Sequence, residues 1–380
     1  MNNIPYGRQH ITEEDIAAVT KVLKSDFLTQ GPSIEEFEKK FAEYIGVKYA
    51  IAVANGTAAL HLCTMALGVK EGDKVLTTPI TFAASANCVK YCGGDVDFSD
   101  IDSKSFLLDL NKVEDKLKKS PDNYKGIIPV DFAGAAVDLE SLKYIADKYN
   151  LWIIEDACHA PGGFFKDSKG NQQNCGNGNF ADLAIFSFHP VKHIATGEGG
   201  MITTNRKDLY EKILLLRTHG ITKNPSQMSK VDGGWYYEMT ELGYNYRLSD
   251  MQAALGISQL SRADLGLTRR REIAAEYDRA FKNLNLVTPL SDKGHAYHLY
   301  VIQVEDRKGL YDYLRTKNIF CQVHYIPVHT MPYYQSLGWK KGDMPIAENY
   351  YDKCLSIPMF PSLTKEEQQR VIDAVTEYVK

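Results

Sequence analysis

From Tyr49 to Ser187 the sequence switches repeatedly between short apolar runs and longer segments of helical period. Tyr49 to Val53, Lys74 to Thr77, Val96-Asp97-Phe98, Ile127 to Val130, Leu151 to Ile154 and Leu183 to Phe186 read as strands. An apolar helix to about Leu67, then Thr81 to Tyr91, Leu110 to Lys119 and Leu139 to Tyr149 read as the helices between them. A parallel strand pair needs a long crossover, and a helix supplies it. The alternation therefore predicts an α/β fold, a mostly parallel sheet with helices on both faces. Such sheets bind ligands at the carboxyl ends of their strands. Asn55, Phe82, Asp131, Asp156 and Ser187 all fall just after predicted strands, so they point to one shared site.

The flanking segments read differently. Thr12-Glu13-Glu14-Asp15 opens an amphipathic helix, and Ser33-Ile34-Glu35-Glu36 reads as a capping box for a second that stops near Gly46. A long helical stretch, broken once, runs from Ser249 to about Phe281. Beyond it His298 to Val304 and Phe320 to Val323 read as strands, Leu310 to Thr316 as a helix, and Thr364 caps a last helix to Val379. This predicts a large domain over 1–250, with an N-terminal arm, and a smaller C-terminal α+β domain over 251–380. Gly163 to Phe180, rich in Gly, Asn and Gln from Asn171 on, reads as a loop or hairpin.

Charge and composition exclude some functions. A formal net charge of −4 gives no basic field for nucleic acid. No apolar run approaches the ~20 residues of a membrane helix, and Met1-Asn2-Asn3-Ile4-Pro5 has no signal-peptide pattern. Seven scattered cysteines, an odd number with no CxxC pair, suit reduced thiols in a cytoplasm. Gly176-Asn177-Gly178-Asn179-Phe180-Ala181 matches a dinucleotide fingerprint but precedes a strand instead of following one. His189 and His193 have a metal-helix spacing, yet Pro190 lies between them and no HExxH glutamate is present. No metal is expected.

What remains is a constellation. Phe186-Ser187-Phe188-His189-Pro190-Val191-Lys192 puts one lysine just past a buried strand, before the turn Gly197-Glu198-Gly199-Gly200. A lysine there is costly unless it is paired or used, and a desolvated amine is a nucleophile that condenses with carbonyls. Asn55-Gly56-Thr57-Ala58 opens a helix after a strand, a seat for phosphate to which Ser187 adds a hydroxyl. Asp156, in Glu155-Asp156-Ala157-Cys158-His159, is an acid able to keep a ring nitrogen protonated, and Phe82 can stack on a flat ring.

Taken in order along nearly the whole chain, these motifs and Gly243-Tyr244-Asn245-Tyr246-Arg247 resemble the DegT/DnrJ family of sugar aminotransferases. The resemblance implies the aspartate-aminotransferase-like fold (type I of the pyridoxal 5'-phosphate enzymes) with a three-layer large domain. It implies Lys192 as the catalytic Schiff-base lysine and proton shuttle, Asp156 as the partner of the pyridine nitrogen, and His159 near the phenolic oxygen. Phe82 would stack on the ring, Gly56, Thr57 and Ser187 would seat the phosphate, and Asn245 would reach a neighbouring subunit's site, making a homodimer with shared sites. Ile4-Pro5-Tyr6-Gly7-Arg8-Gln9, Ser25 to Pro32 and Gln322-Val323-His324-Tyr325-Ile326-Pro327-Val328-His329 are similar to the PseC-type branch. That branch moves the amino group of L-glutamate to a UDP-4-keto-6-deoxy-N-acetylhexosamine on the way to pseudaminic acid. Tyr6, His324, Tyr325 and His329 would then line the sugar-nucleotide pocket, with Arg247 a candidate for the glutamate carboxylate. Three alternatives stay open: an aminotransferase of the same family with another UDP- or dTDP-keto-deoxysugar; a same-fold dehydratase, against which Lys192 argues; and a non-enzymatic binding protein on the same fold, against which the intact set of lysine, aspartate and phosphate seat argues.

Overall fold

A computed structural model describes residues 2–380. Seven strands form its central sheet: β1 Tyr49–Val53, β2 Lys74–Thr77, β3 Asp95–Phe98, β4 Gly126–Ile128, β5 Trp152–Asp156, β6 Leu183–Ser187 and β7 Gly200–Thr204. Their spatial order is β1-β7-β6-β5-β4-β2-β3. All neighbours are parallel except β7, which runs antiparallel to both β1 and β6. The strands are apolar because helices cover both faces of the sheet. Ile51, Ile154, Ile185 and Ile202 face one core, while Ala52, Phe186 and Met201 face another. Strand β7 was not expected. The glycines of the turn before it hide its start, and the antiparallel return needs no crossover helix to announce it.

The helices follow the expected pattern with one instructive exception. Helix α1 (Glu13–Leu23) has the Thr12–Asp15 capping box. Helix α2 begins at Pro32, one residue ahead of the proposed Ser33 cap, and ends at Gly46 in a left-handed conformation (φ 82°). Its N-terminal N–H groups are satisfied from far away in sequence. The buried Asp250 carboxylate accepts from Gly31 N at 2.8 Å and from Ser33 N at 3.0 Å. A local capping rule cannot see a partner 217 residues distant. Helix α3 (Gly56–Ala66) is capped by the Asn55 side chain, which accepts from Ala58 N. The long C-terminal stretch breaks at Ser261 into α4 (Asp250–Leu260) and α5 (Ala263–Phe281).

A separate apolar core gathers Ile273, Tyr277, Phe281, Tyr300, Leu310, Leu355 and Val375, joined by Ile4 from the N-terminus. Ile4–Pro5 pairs in parallel with Ile319–Phe320, and Tyr300–Gln303 pairs antiparallel with Cys354–Ile357. The expected strand over Phe320 to Val323 is thus shorter, and residues beyond it run alongside Ser356 by way of Gln322. The segment from Val328 to Tyr350 returns to pack on the core of the central sheet. The glycine- and asparagine-rich insert is a hairpin, Phe164–Lys166 paired with Gln172–Asn174.

Asp250 caps α2 while standing at the first position of α4, so it welds two distant helices. Asp250→Ala should lower stability by about 1–2 kcal/mol, the worth of a helix cap. The expected signature in urea is a lower unfolding midpoint at an unchanged m-value.

Candidate active site

The carboxyl ends of the strands open onto a cavity of about 470 Å³. Register decides what faces it. Asp156 stands opposite Ile185, and Gly200 stands opposite both Ser187 and Val53. Asp156, Ser187 and the Asn55-Gly56-Thr57 turn therefore arrive at one edge of the sheet, with Lys192 in the loop beyond β6. The cavity is also lined by Tyr6, Phe82, His159, His324 and Tyr325. Of the five residues expected after strands, four line it. Asp131 does not: its Oδ1 accepts from Val137 N at 2.9 Å, away from the cavity.

Asp156 is fixed on both oxygens. Ser85 Oγ donates to Oδ2 at 2.7 Å, and Cys158 N donates to Oδ1 at 3.2 Å. Ser85 in turn bonds Thr81 Oγ1 at 2.8 Å. Nothing in the sequence flagged Ser85, because a serine inside a helix looks like any other until the fold sets it opposite Asp156. Phe82 is 64% exposed at the cavity rim, its ring tilted toward that of Tyr325 at a centroid distance of 6.5 Å. Gly56 occupies the first turn of α3. A Cβ there would come within 3.1 Å of Ser187 Cβ and 3.6 Å of Cys158 Sγ, so the glycine keeps the helix terminus open toward the cavity.

His159 is neutral, held there by burial and by the neighbouring Lys192. Its Nδ1 accepts from Ala133 N at 3.2 Å, which leaves the proton on Nε2. Nε2 then donates to Tyr325 Oη, also 3.2 Å away. His324 Nδ1 bonds Ser356 Oγ at 2.8 Å, and the Tyr6 ring packs on it at 5.3 Å. His298, which also lines the cavity, was not singled out from sequence; its ring lies 4.3 Å from that of His159 and its Nδ1 has no partner.

Three expected residues lie elsewhere. Asn245 is exposed and Arg247 half-buried, on the strip that bonds to Ala54 through Tyr246 O; neither lines the cavity. His329 is fully buried, its Nε2 bonded to Glu348 Oε1 at 2.9 Å and its ring near Phe98 and Trp339. It stays with the packed core, not with the cavity wall. Among the described residues Asp131, Glu155 and Cys175 bring ligand atoms within 4.8 Å of one another. Burial pushes both carboxyls up toward the protonated form, and Glu155 is occupied by Gly176 N at 2.9 and 3.0 Å.

Lys192 lines the cavity but is otherwise enclosed by protein, and its amine makes no ion pair among the described residues. Burial lowers its pKa, partly countered by Asp156. The unfolded chain therefore holds that proton more tightly, so stability rises with pH between the depressed folded pKa and the ordinary 10.5. Below that window the buried ammonium is a constant cost. In the cofactor-free protein Lys192→Met should melt above wild type at pH 7, and the gap should shrink as pH climbs toward 10.5. A lower melting midpoint for the variant at pH 7 would contradict this.

Residues 9–376 match the model of the DegT/DnrJ/EryC1/StrS aminotransferase family. A Campylobacter jejuni protein named UDP-4-amino-4,6-dideoxy-N-acetyl-beta-L-altrosamine transaminase is 40% identical over 98% of this chain and 96% of its own length. Helicobacter pylori PseC, described as an aminotransferase of pseudaminic acid biosynthesis, superposes with a TM-score of 0.89 at 32% identity, covering 100% of this chain and 99% of that one. A putative Streptococcus pneumoniae sugar aminotransferase, solved in its PLP form, superposes with a TM-score of 0.90 at 28% identity over 100% of both chains. The chain belongs to the DegT/DnrJ/EryC1/StrS aminotransferase family.

Proposed function

We propose that the protein transfers the amino group of L-glutamate to the 4-keto carbon of a UDP-4-keto-6-deoxy-N-acetylhexosamine, in a route to pseudaminic acid, using pyridoxal 5'-phosphate. The observation that carries this reading is one cavity shared by a half-buried lysine with no ion pair among the described residues, a doubly fixed aspartate and an open helix N-terminus. The cavity fits the cofactor: the glycine at position 56 leaves a cradle that a Cβ would narrow, and Phe82 offers a bare ring face. The names borne by the Campylobacter and Helicobacter relatives support the substrate, and the PLP form of the Streptococcus protein supports the cofactor.

When bound, pyridoxal phosphate supplies an electron sink for the carbon that carries the amino group. This chain's residues do the rest. Gly56 N, Thr57 and Ser187 hold the phosphate at the positive end of α3. Phe82 covers one face of the ring. Asp156, oriented by Ser85 and Cys158 N, keeps a proton on the pyridine nitrogen. His159, whose Nε2 is bonded to Tyr325 Oη, would stand near the phenolic oxygen. Lys192 takes a proton from glutamate Cα and later delivers one to sugar C4. Its lowered pKa suits it to this work, because a larger fraction is neutral near pH 7. Tyr6, His324 and Tyr325 line the sugar side. His329 would act there only indirectly, through the packing of its own segment.

The active unit in this reading is a cytoplasmic homodimer. Asn245 is exposed on its strip and would complete the phosphate seat of the neighbouring subunit, with Arg247 beside it as a candidate for the glutamate carboxylate. The seven free thiols suit a reducing compartment. The chain divides into a pocket-bearing domain over 1–250 and a smaller one over 251–380. The separate core built from residues beyond 270 supports this division, although Ile4 crosses to that core and residues 328–350 cross back.

Lys192→Ala should lower kcat by about 10²–10⁴-fold or more while leaving cofactor-dependent absorbance in the protein. Turnover of the variant at wild-type rate would remove Lys192 from the chemistry. Product NMR with a panel of UDP- and dTDP-keto sugars plus L-glutamate tests the substrate. A 4-amino product from the UDP-N-acetyl sugar supports the reading. Exclusive use of a dTDP sugar replaces it with another member of the same family.

A further inference from the structure

A second cavity, about 250 Å³, borders the same lysine segment and none of its lining residues is acidic. Arg8, Lys192, His193, Arg262, Arg269 and Arg270 all line it. Two of these charges are already answered, Arg262 by Asp15 and Arg269 by Glu272. The other two guanidinium groups are not. Arg270 is 1% exposed, and its Nη1 donates to the carbonyls of Tyr297, His298 and Met359 at 3.1, 3.2 and 3.0 Å. No carboxylate pairs with it among the described residues, and burial alone pulls its pKa down to about 9. A buried cation held only by carbonyl dipoles is incompletely compensated. Arg8 likewise has no acid among the described residues and rests its guanidinium 4.9 Å over the Phe360 ring.

Two further features converge on the cavity. Helix α5 starts there, 19 residues long and with no side-chain cap on its N-terminus. Leu265 and Gly266 of its first turn line the cavity, so this helix end borders the same space, with Asp264 of that turn, bonded to Tyr44 Oη, offsetting part of its dipole. His193 Nε2 is buried without a hydrogen-bond partner. Each observation has a structural explanation of its own. Together they describe a cavity lined by an exposed arginine, a buried arginine held only by carbonyls and a histidine nitrogen without a partner, with no carboxylate in its wall.

We propose that this cavity binds a small oxyanion, a carboxylate or a phosphate, between Arg8, Arg270 and the start of helix α5. The site is distinct from the phosphate seat at Gly56 and Thr57, and it does not depend on the amination reading. An anion held there sits beside Lys192 and favours its protonated form.

The test is calorimetric titration of the full chain, saturated with pyridoxal phosphate so that the main cavity is filled. Inorganic phosphate and succinate are the two probes, each at low ionic strength. One saturable site per chain is expected for at least one probe, and the tighter of the two identifies the chemistry. Arg8 lines this cavity and not the main one. Arg8→Gln should therefore weaken binding by about tenfold, the equivalent of one charge-assisted hydrogen bond. Leu265→Glu, at a position 75% exposed, puts a carboxylate at the rim and should weaken it comparably without disturbing the core. Failure of both probes to saturate, or an affinity unchanged by Arg8→Gln, overturns the proposal.

Discussion

The site depends on the register of three strands. Strand β7 pairs on both sides, placing Gly200 opposite Val53 on β1 and Ser187 on β6. A Cβ at Gly200 would stand 2.7 Å from the carbonyl of Asn55, so only glycine lets β7 pass under the turn that opens α3. The two pairings fix how far β1 and β6 extend toward the cavity, and thus where Thr57 and Ser187 meet. On the other side of β6, Asp156 pairs with Ile185. A one-residue slip would turn Asp156 into the core and bring Glu155 to the cavity.

That alternation separates two adjacent acids by role. Asp156 faces the cavity, held by a hydroxyl and a backbone N–H. Glu155 faces inward, where burial and the neighbouring Asp131 raise its pKa and Gly176 N engages it. Burial raises the pKa of both inward acids, which favours their protonated forms and less buried charge. Asp131 N also donates to the carbonyl of Asp156 at 3.0 Å, which links the inward pair to the backbone of the outward acid. The inner acids thus brace the strand end from which Asp156 reaches the cavity.

The alternation of strand and helix was legible because both periods are local, and each predicted parallel strand lies within a few residues of its place. That Lys192, Asp156 and the Asn55-Gly56-Thr57 turn share one cavity was legible because each follows a predicted strand or the turn beyond it. What escaped depends on distant contacts. Asp250 caps α2 across more than two hundred residues, Ser85 reaches Asp156 from the helix that follows β2, 71 residues away, and Arg270 faces carbonyls from two other segments. His329 shows the converse. Its neighbours in sequence, His324 and Tyr325, line the cavity, but the short helical turn over Val328–Thr330 carries it into the core, where Glu348 is available as a partner. Motif adjacency in sequence carried no information about which side of the turn it would take.

The cavity wall is assembled from choices that a stability criterion alone would reject. It keeps a buried amine without an ion pair, an exposed phenylalanine and a cluster of histidines held neutral by burial. The lysine and the exposed ring each cost stability, and the Lys192 amine has no acidic partner among the described residues. The cores on both faces of the sheet are different in kind: their isoleucines and phenylalanines are sealed from solvent. In the proposed function, a cofactor that is at once anionic, flat and cationic at its ring nitrogen would answer the helix terminus, Phe82 and Asp156 together, although they come from three separate stretches of chain.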